Sequence, residues 1–479
     1  MYQHCGEGVK FYLTRKLNEQ VNQNSTISIQ KRYEDITDNN LEQILNDLPE
    51  YKELTSLSLN LNENPSLKQQ GAKTVKQFLK KCLNVTELKL LLSSCKLQNE
   101  GILEITEAIM EMKNIEKLEL DFAYSNIDDN TAIALKKNSL QPIFVSLNKL
   151  YFKSGNQICD DGASILAQEL SNLTEITSLE FYLWQNPISD KGVCSIAEGI
   201  GKCKKLINLS LSLQKNKISD IGASSIGQIL NQFTELTVLY LYLWECQIGN
   251  QGAVSIGEGL KSCKNLTLLE LSLSKNQIGD IGAISIGEGL SSCTQVTNLL
   301  LYLWDNKISD EGVQAVAMGL SNLKNLNDLQ FELETNKIGD EGACALAEGI
   351  SECQNLINLD ISFVENLIED QGALGISKQL ENFKNLKELE LNLRKIPKQN
   401  SQTYYSGIAF QSLNIENKNS KDEKYLKSSE IVNCKNIKIL DLDLSWLIQE
   451  DKIYHKRKAL KIKRLVKLKI KGFIDFGDV

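Results

Sequence analysis

Glycines recur every 30 residues, at Gly162, Gly192, Gly222, Gly252, Gly282, Gly312, Gly342 and Gly372. A chain that repeats itself at a fixed period of about 20 to 50 residues builds a stack of small units, each burying its apolar face only against its neighbours. One phrase surrounds every glycine, clearest as LTLLELSLSKNQIGDIGAISIGEGLSSC at residues 266–293. Gly71, Gly101 and Thr131 carry the frame backwards, with one extra residue before Gly162, and a degenerate first copy occupies residues 27–54. Strand-like remnants follow at 437–444 and 465–470. A length of 479 residues allows either several domains or one array, and the shared register decides for the array.

Each copy reads as one strand and one helix. Leu239, Leu241 and Leu243 alternate with Tyr240, Tyr242 and Trp244, the period of two of a half-buried strand. After a turn, Ala283, Ile286, Leu290 and Cys293 fall at helical spacing. Asp280 opens that helix, and Asp190, Asp220, Asp310, Asp340 and Asp370 hold the same slot. Their carboxylates are expected to accept from the free amides of the first turn, as N-caps. Five residues after each glycine the side chain is small: Ala167, Ala197, Gly227, Gly257, Gly287, Ala317, Ala347 and Ser377. This is expected to let the helices close onto the strand layer.

The pattern Leu-x-x-Leu-x-Leu followed by Asn-x-Ile-Gly-Asp-x-Gly-Ala, as in Leu266, Leu269, Leu271 and residues 276–283, resembles leucine-rich repeats of the ribonuclease-inhibitor type, the variety found in NOD-like receptors and Ran GTPase-activating proteins. The resemblance covers residues 27–393 and returns weakly near Cys434. An additional apolar step at Leu243, Leu273 or Leu303 lengthens the strand and is similar to the longer repeats of ciliate proteins of this class. The resemblance implies an α/β solenoid bent into a horseshoe or arc, with parallel strands on the concave face and helices on the convex face. It also implies that Asn186, Asn216, Asn276, Asn306, Asn336 and Asn366 point inward and bind backbone groups of adjoining rungs, with Cys95 and Cys246 replacing Asn in that slot for structural reasons.

Catalytic equipment is sparse. His4 and His455 are the only histidines, no Walker loop, GxSxG elbow or HExxH helix occurs, and no CxxC pair exists to hold zinc, so neither an enzyme, a metal nor a cofactor is expected. Asp475, Phe476 and Gly477 spell a kinase tripeptide with none of its upstream partners and read as coincidence. Residues 33–393 contain no arginine, so a GTPase activator working through an arginine finger has no candidate there. Cys82, Cys203, Cys263, Cys293 and Cys353 share one slot with Leu173, Leu323, Met112, Phe233 and Phe383, which makes them core side chains and the thiols free in a reducing compartment.

The net charge of -8 hides a division: residues 452–479 hold ten Lys and Arg against two Asp, leaving 43 basic against 59 acidic residues in 1–451. An acidic body repels phosphates, so nucleic acid is expected only at the tail, where Val466, Leu468 and Ile470 alternate with Lys467, Lys469 and Lys471 as a final edge strand. Lys456, Arg457 and Lys458 offer a nuclear address as an alternative. No run approaches the roughly 18 apolar residues of a membrane helix, and the first 17 residues lack the apolar core of a secretion signal, so a cytoplasmic protein is expected. The organisation expected is an N-terminal segment over 1–25, the solenoid over 26–393, an Asn-, Ser- and Lys-rich insertion over 394–430 that breaks the frame, and a terminal repeat with a basic cap over 431–479.

Strand positions facing away from the leucines are where repeats differ. Rows of Glu180, Tyr182, Trp184, then Tyr240, Tyr242, Trp244, then Leu300, Tyr302, Trp304 recur every 60 residues, separated by rows with Ser210, Ser212, Gln214 and Glu270, Ser272, Ser274. Rings above small serines fill their neighbours' space, yet exposed Tyr and Trp are also the residues that dominate binding energy at interfaces. Acids outnumber bases on the same face, including Glu270, Glu332, Glu334 and Asp360. A protein or peptide partner with a basic, partly apolar surface is therefore expected, bound by Tyr182, Trp184, Tyr240, Tyr242, Trp244, Tyr302, Trp304 and those four acids, with no small-molecule substrate. The class expected is a non-catalytic interaction scaffold. The alternatives are a regulatory or sensor subunit of NOD-like receptor type and a GTPase-activating protein of the Ran type.

Overall fold

The computed structural model describes residues 26–46, 54–125, 127–137, 147–151, 156–380, 382–393, 439–443 and 467–471. The insertion expected over 394–430 lies outside them, as do the N-terminal segment and most of the basic tail. The chain forms two compact units, Met1–Asn186 and Pro187–Val479.

In the first unit, strands β1 (Thr26–Gln30), β2 (Ser56–Asn60), β3 (Glu87–Leu91), β4 (Lys117–Asp121), β5 (Leu147–Tyr151) and β6 (Ser178–Tyr182) pair in parallel in chain order. Helices α1 (Asp38–Asn46), α2 (Gln69–Leu79), α3 (Gln98–Glu111), α4 (Asp129–Lys137) and α5 (Asp160–Leu170) alternate with them. The register slips once, between Leu118 and Glu119, where β4 meets β5. This is the stretch where the sequence frame also gains its extra residue.

The second unit repeats the same plan with better regularity. Helix α6 (Asp190–Ile200) is followed by β7 (Asn208–Ser212), α7 (Asp220–Leu230), β8 (Val238–Tyr242), α8 (Asn250–Leu260), β9 (Leu268–Ser272), α9 (Asp280–Ser292) and β10 (Asn298–Tyr302). Then come α10 (Asp310–Leu320), β11 (Asp328–Glu332), α11 (Asp340–Ser351), β12 (Asn358–Ser362), α12 (Asp370–Leu380) and β13 (Glu388–Asn392). Neighbouring strands pair in parallel with like slots opposite each other, as in Leu239 with Leu269 and Leu299 with Leu329. Strands β14 (Ile439–Asp443) and β15 (Lys467–Lys471) complete the order, β14 on β13 and β15 on β14.

The core is the leucine stack. Leu239, Leu241, Leu243, Leu269, Leu271 and Leu273 are at most 1% exposed, and Ile256, Ile286, Leu260 and Leu290 cover them from the helices with no exposure at all. Truncating one such side chain to alanine costs about 2 to 5 kcal/mol. The extra apolar step does lengthen the ladder: Leu243 N donates to Ser272 O (2.8 Å) and Glu245 N to Ser274 O (2.9 Å), past the end of β8. The chain then turns at a residue in the left-handed region, Glu245 with φ 54°, Lys275 with φ 51° and Asp305 with φ 54°.

The inward Asn next closes the turn. Asn276 Nδ2 donates to Leu243 O and Leu273 O, both at 2.9 Å, while its Oδ1 accepts from Ile248 N at 3.0 Å. Asn306, Asn336 and Asn366 repeat the pattern, so each buried amide satisfies its own rung and the preceding one. Cys95 and Cys246 occupy the slot with weaker thiol contacts, to Leu61 O (3.3 Å) and Leu213 O (3.8 Å).

Two expectations need correction. Asp190, Asp220, Asp280, Asp310 and Asp340 reach past the helices they begin, and the side chain of Asp370 lies outside the described residues. Asp190 Oδ1 accepts from Ser219 N (2.8 Å) and Gly222 N (2.9 Å), and Asp220 Oδ1 from Gly249 N (2.7 Å) and Gly252 N (2.8 Å), so each closes the first turn of the next helix. The reason is geometric: the carboxylate sits at the start of its helix, beside the identical start one rung on, and the N-terminal amides there are free. Nor do the small residues five after each glycine serve the strand layer. A Cβ on Gly227, Gly257 or Gly287 would press into the backbone carbonyl of Ser255, Ser285 or Ala315, each on the following helix. Their smallness permits helix-to-helix approach. The side chain of Ser377 lies outside the described residues.

Candidate functional site

Because like slots pair, the outward strand positions of the second unit run in lanes across the sheet. One lane is Ser210, Tyr240, Glu270, Leu300, Gln330, Asp360; the next is Ser212, Tyr242, Ser272, Tyr302, Glu332, Ser362. A third, beyond the strand ends, is Gln214, Trp244, Ser274, Trp304, Glu334, Val364, aligned by the continued ladder. The face is thus ringed at one end and acidic at the other.

At the aromatic end large and small residues interlock. Ser210 (4%), Ser212 (2%), Ser272 (6%) and Ser274 (0%) are buried although they point away from the leucine core, while Tyr240, Tyr242, Trp244, Tyr302 and Trp304 stay partly exposed. The packing reading of the aromatic rows is therefore real, and it leaves ring surface uncovered. Tyr240 and Tyr242 stack at 6.5 Å between centroids. Lys215 Nζ sits 4.7 Å from the Trp244 ring centroid and Lys275 Nζ 5.2 Å from that of Trp304. Both lysines occupy the left-handed turn position one rung before their tryptophan, and Glu245 stands 3.8 Å from each. Sequence reasoning missed this lysine, tryptophan and glutamate edge, although Lys215 and Lys275 recur with the same 60-residue period as the rings. The lysines cover one side of each indole, so further contacts meet what remains exposed.

Among the described residues no lysine or arginine pairs with Glu270, Glu332 or Glu334; Glu332 Oε1 accepts only a neutral donor, Gln330 Nε2, at 3.0 Å. Burial raises Glu332 to about 7, helped by the charges of Glu334 and Asp360 and opposed by that hydrogen bond. Burial also raises Glu334, opposed by a hydrogen bond from the Ser362 hydroxyl, and raises Glu270, opposed by one from the Tyr242 hydroxyl. Tyr302 is pushed up to about 12, first by burial and then by Glu270, Glu332 and Asp360. Three of the predicted acids, Glu270, Glu332 and Asp360, thus act on one tyrosine. Ser274 Oγ is buried without a hydrogen-bond partner.

The first unit carries the remaining predicted residues, Tyr182 and Trp184. Tyr182 OH donates to Glu180 Oε2 at 3.3 Å, and Tyr124 meets the Trp184 ring edge-on at 6.1 Å. A cavity of about 240 Å³ on this unit's strand face is lined by Ser56, Ser58, Glu87, Lys89, Lys117 and Glu119. Its charges are mutually paired, Lys89 with Glu119 at 2.8 Å and Lys117 with Glu87 at 2.5 Å, which sets it apart from the cation-poor acids of the second unit. Among the described residues no group of three or more His, Cys, Asp or Glu is placed to hold a metal ion, and no helix is long and apolar enough to cross a membrane.

The family model described as Leucine Rich repeat matches residues 209–227, 264–287 and 297–317. No curated protein matches the sequence. Among solved structures, an internalin from Listeria monocytogenes is 21% identical over 65% of this chain and 81% of its own, with a TM-score of 0.36. The Rad7 and Elc1 complex from yeast is 13% identical over 91% of this chain and 84% of that one, with a TM-score of 0.40.

Proposed function

From the premise of a leucine-rich repeat protein built as an α/β solenoid, we propose a non-catalytic scaffold whose strand face receives a protein or peptide with a basic, partly apolar surface. The observation that carries this reading is the juxtaposition, on one continuous set of lanes, of partly exposed rings and the half-buried carboxylates of Glu270, Glu332 and Glu334, with which no lysine or arginine pairs among the described residues. A carboxylate partly withdrawn from water is costly to ionise, and a partner's cation offsets that cost. Apolar groups of the same partner would seat on Tyr240, Tyr242, Trp244, Tyr302 and Trp304, while its cations meet Glu270, Glu332, Glu334 and Asp360. Tyr182 and Trp184 extend the same use to the first unit.

The repeats are best read as the ribonuclease-inhibitor type, since each pairs a short strand with a full helix of about three turns behind the Asn-x-Ile turn. Free buried thiols suit a reducing compartment, the cytoplasm or, through the basic tail, the nucleus.

Affinity purification from the native cell, with the partner then produced pure, tests the reading. Exchanging Glu332 and Glu334 for Lys should slow association most at low salt, because unlike charges steer the encounter and salt screens them. An unchanged association rate at every ionic strength would put the interface elsewhere.

A further inference from the structure

The rings of the second unit recur across the sheet with a definite spacing. Tyr242 on β8 and Tyr302 on β10 stand on either side of Ser272 of β9 in the parallel register, and the continued ladder sets Trp244 and Trp304 on either side of Ser274. Ser212, Ser272 and Ser274 are buried while the rings stay partly exposed. Along these two lanes a partner therefore meets an aromatic row on every second strand. Adjacent strands lie about 4.8 Å apart, which spaces the rows by about 9.6 Å. One more step of that length leads from β10 to β12, where Asp360 stands with Glu332 and Glu334 one strand before it.

A peptide laid across the strands has to present a group to each row in turn. An extended strand repeats its side chains on one face every two residues, about 6.7 Å, and falls out of step at once. An α-helix returns to the same face after seven residues, about 10.5 Å, and overshoots by about 0.9 Å per row. A polyproline II helix turns once in three residues of about 3.1 Å, or about 9.3 Å, and stays within about 0.6 Å over two rows. The hydrogen-bonding groups favour the same backbone. The indole N–H groups of Trp244 and Trp304 and the Tyr302 hydroxyl make no hydrogen bond with another described residue. The carbonyls of a polyproline II helix have no partner inside their own chain, so they are free to accept from such donors.

We infer that the strand face takes a proline-rich segment of the partner in the polyproline II conformation, running across β8 to β12. One proline lies on Tyr242, a second three residues along lies on Tyr302, and an arginine or lysine a further three residues on meets Asp360 and Glu332. The inference rests on the proposed use of the strand face and specifies the backbone that face selects. Aromatic rows supply apolar seats for the proline rings, and a segment already held in this conformation loses little entropy on docking.

The test titrates the full chain into dye-labelled, capped peptides and reads their fluorescence anisotropy. The probes are Pro-Ala-Ala-Pro-Ala-Ala-Arg, the same residues in reverse order, a version with three alanines between the prolines, and one with alanine for both prolines. One of the first two should bind about tenfold more tightly than either control, since one residue of extra spacing moves the second proline off its row. Tyr302→Ala should weaken that binding about tenfold with the melting point kept, and Tyr302→Phe, which retains the ring, should weaken it less. Equal affinity for the two spacings, no saturable binding in either order up to about 1 mM, or unaltered binding in folded Tyr302→Ala would overturn the inference. If the purified partner still dissociates faster from Trp244→Ala and Trp304→Ala, those results leave the face as an interface for another kind of backbone. If it does not, the proposed use of the face fails as well.

Discussion

Asp280 Oδ1 accepts from the backbone N–H of Gly312 at 3.0 Å, and a Cβ built on Gly312 would lie 2.5 Å from that same oxygen. One contact therefore explains two slots of the repeat. The aspartate that starts α9 stitches itself to the first turn of α10, also accepting from Ser309 N (2.7 Å) and Ser309 Oγ (2.7 Å), and the glycine exists to let it in.

Gly312→Ala should lower stability by about 2 kcal/mol or more, as the new methyl also meets Ile308 Cγ2 at 2.9 Å. Asp280→Ala should cost about 1 to 2 kcal/mol, since it leaves amides of α10 without their acceptor. Asp280→Asn should cost much less, because Asn250 already fills this slot and accepts from Gly279 N (2.8 Å) and Gly282 N (3.1 Å). Thermal melting combined with amide exchange in the first turn of α10 checks all three.

The cysteines should be free, and their reactivity should follow burial. Burial pushes Cys82, Cys95, Cys263 and Cys293 up to about 12, and Cys203, Cys246 and Cys353 to about 11. A thiol needs to ionise to react, so these seven should resist alkylation in the native protein near pH 8 while exposed Cys159 labels. Under denaturing, non-reducing conditions all twelve cysteines of the sequence should take up label. A reproducible bridged peptide between neighbouring repeats would refute the core assignment.

Glu332 should impose opposite pH trends on stability and on cation binding. Its carboxyl is raised to about 7 in the folded chain, above the value of about 4.3 for an unfolded glutamate, so the folded state holds the extra proton between those two values. Stability from this group is then full below about pH 4, falls as pH rises toward 7, and levels off above. Binding of a cation needs the ionised form and should strengthen over the upper part of that same range. Glu332→Gln should remove this contribution to both trends, which melting curves and titrations with the purified partner between pH 5.5 and about 8 will show.

Removing residues 452–479 takes away β15, whose Lys469 and Lys471 stand opposite Asp441 and Asp443 in the backbone register. We expect lower stability and aggregation through the sheet edge so exposed. A deletion that keeps its melting point and changes only cellular location would assign the tail to addressing instead.

The stack was plain in the sequence because its causes are local. Leucines at period two and a glycine every 30 residues determine strand, helix and register without knowledge of neighbours. What the sequence withheld are relations between rungs. Asp280 shows its slot but not that its carboxylate reaches forward to Gly312, and Gly257 shows that room is needed but not that Ser285 on the next helix takes it. The binding face was half legible. Alternation put Tyr242, Trp244, Glu332 and Glu334 outward, whereas the lysines over the indoles depend on side-chain directions set by the left-handed turn.

The central claim is that the rings of the strand face hold the partner. Dissociation rates of the purified partner from Trp244→Ala and Trp304→Ala, with folding verified by melting, test it most directly. Each substitution should speed dissociation by about thirtyfold or more, the equivalent of about 2 kcal/mol for a residue central to an interface. Parental dissociation rates in both folded variants would mean that the rings only cover Ser274 and its neighbours, and that the partner binds elsewhere.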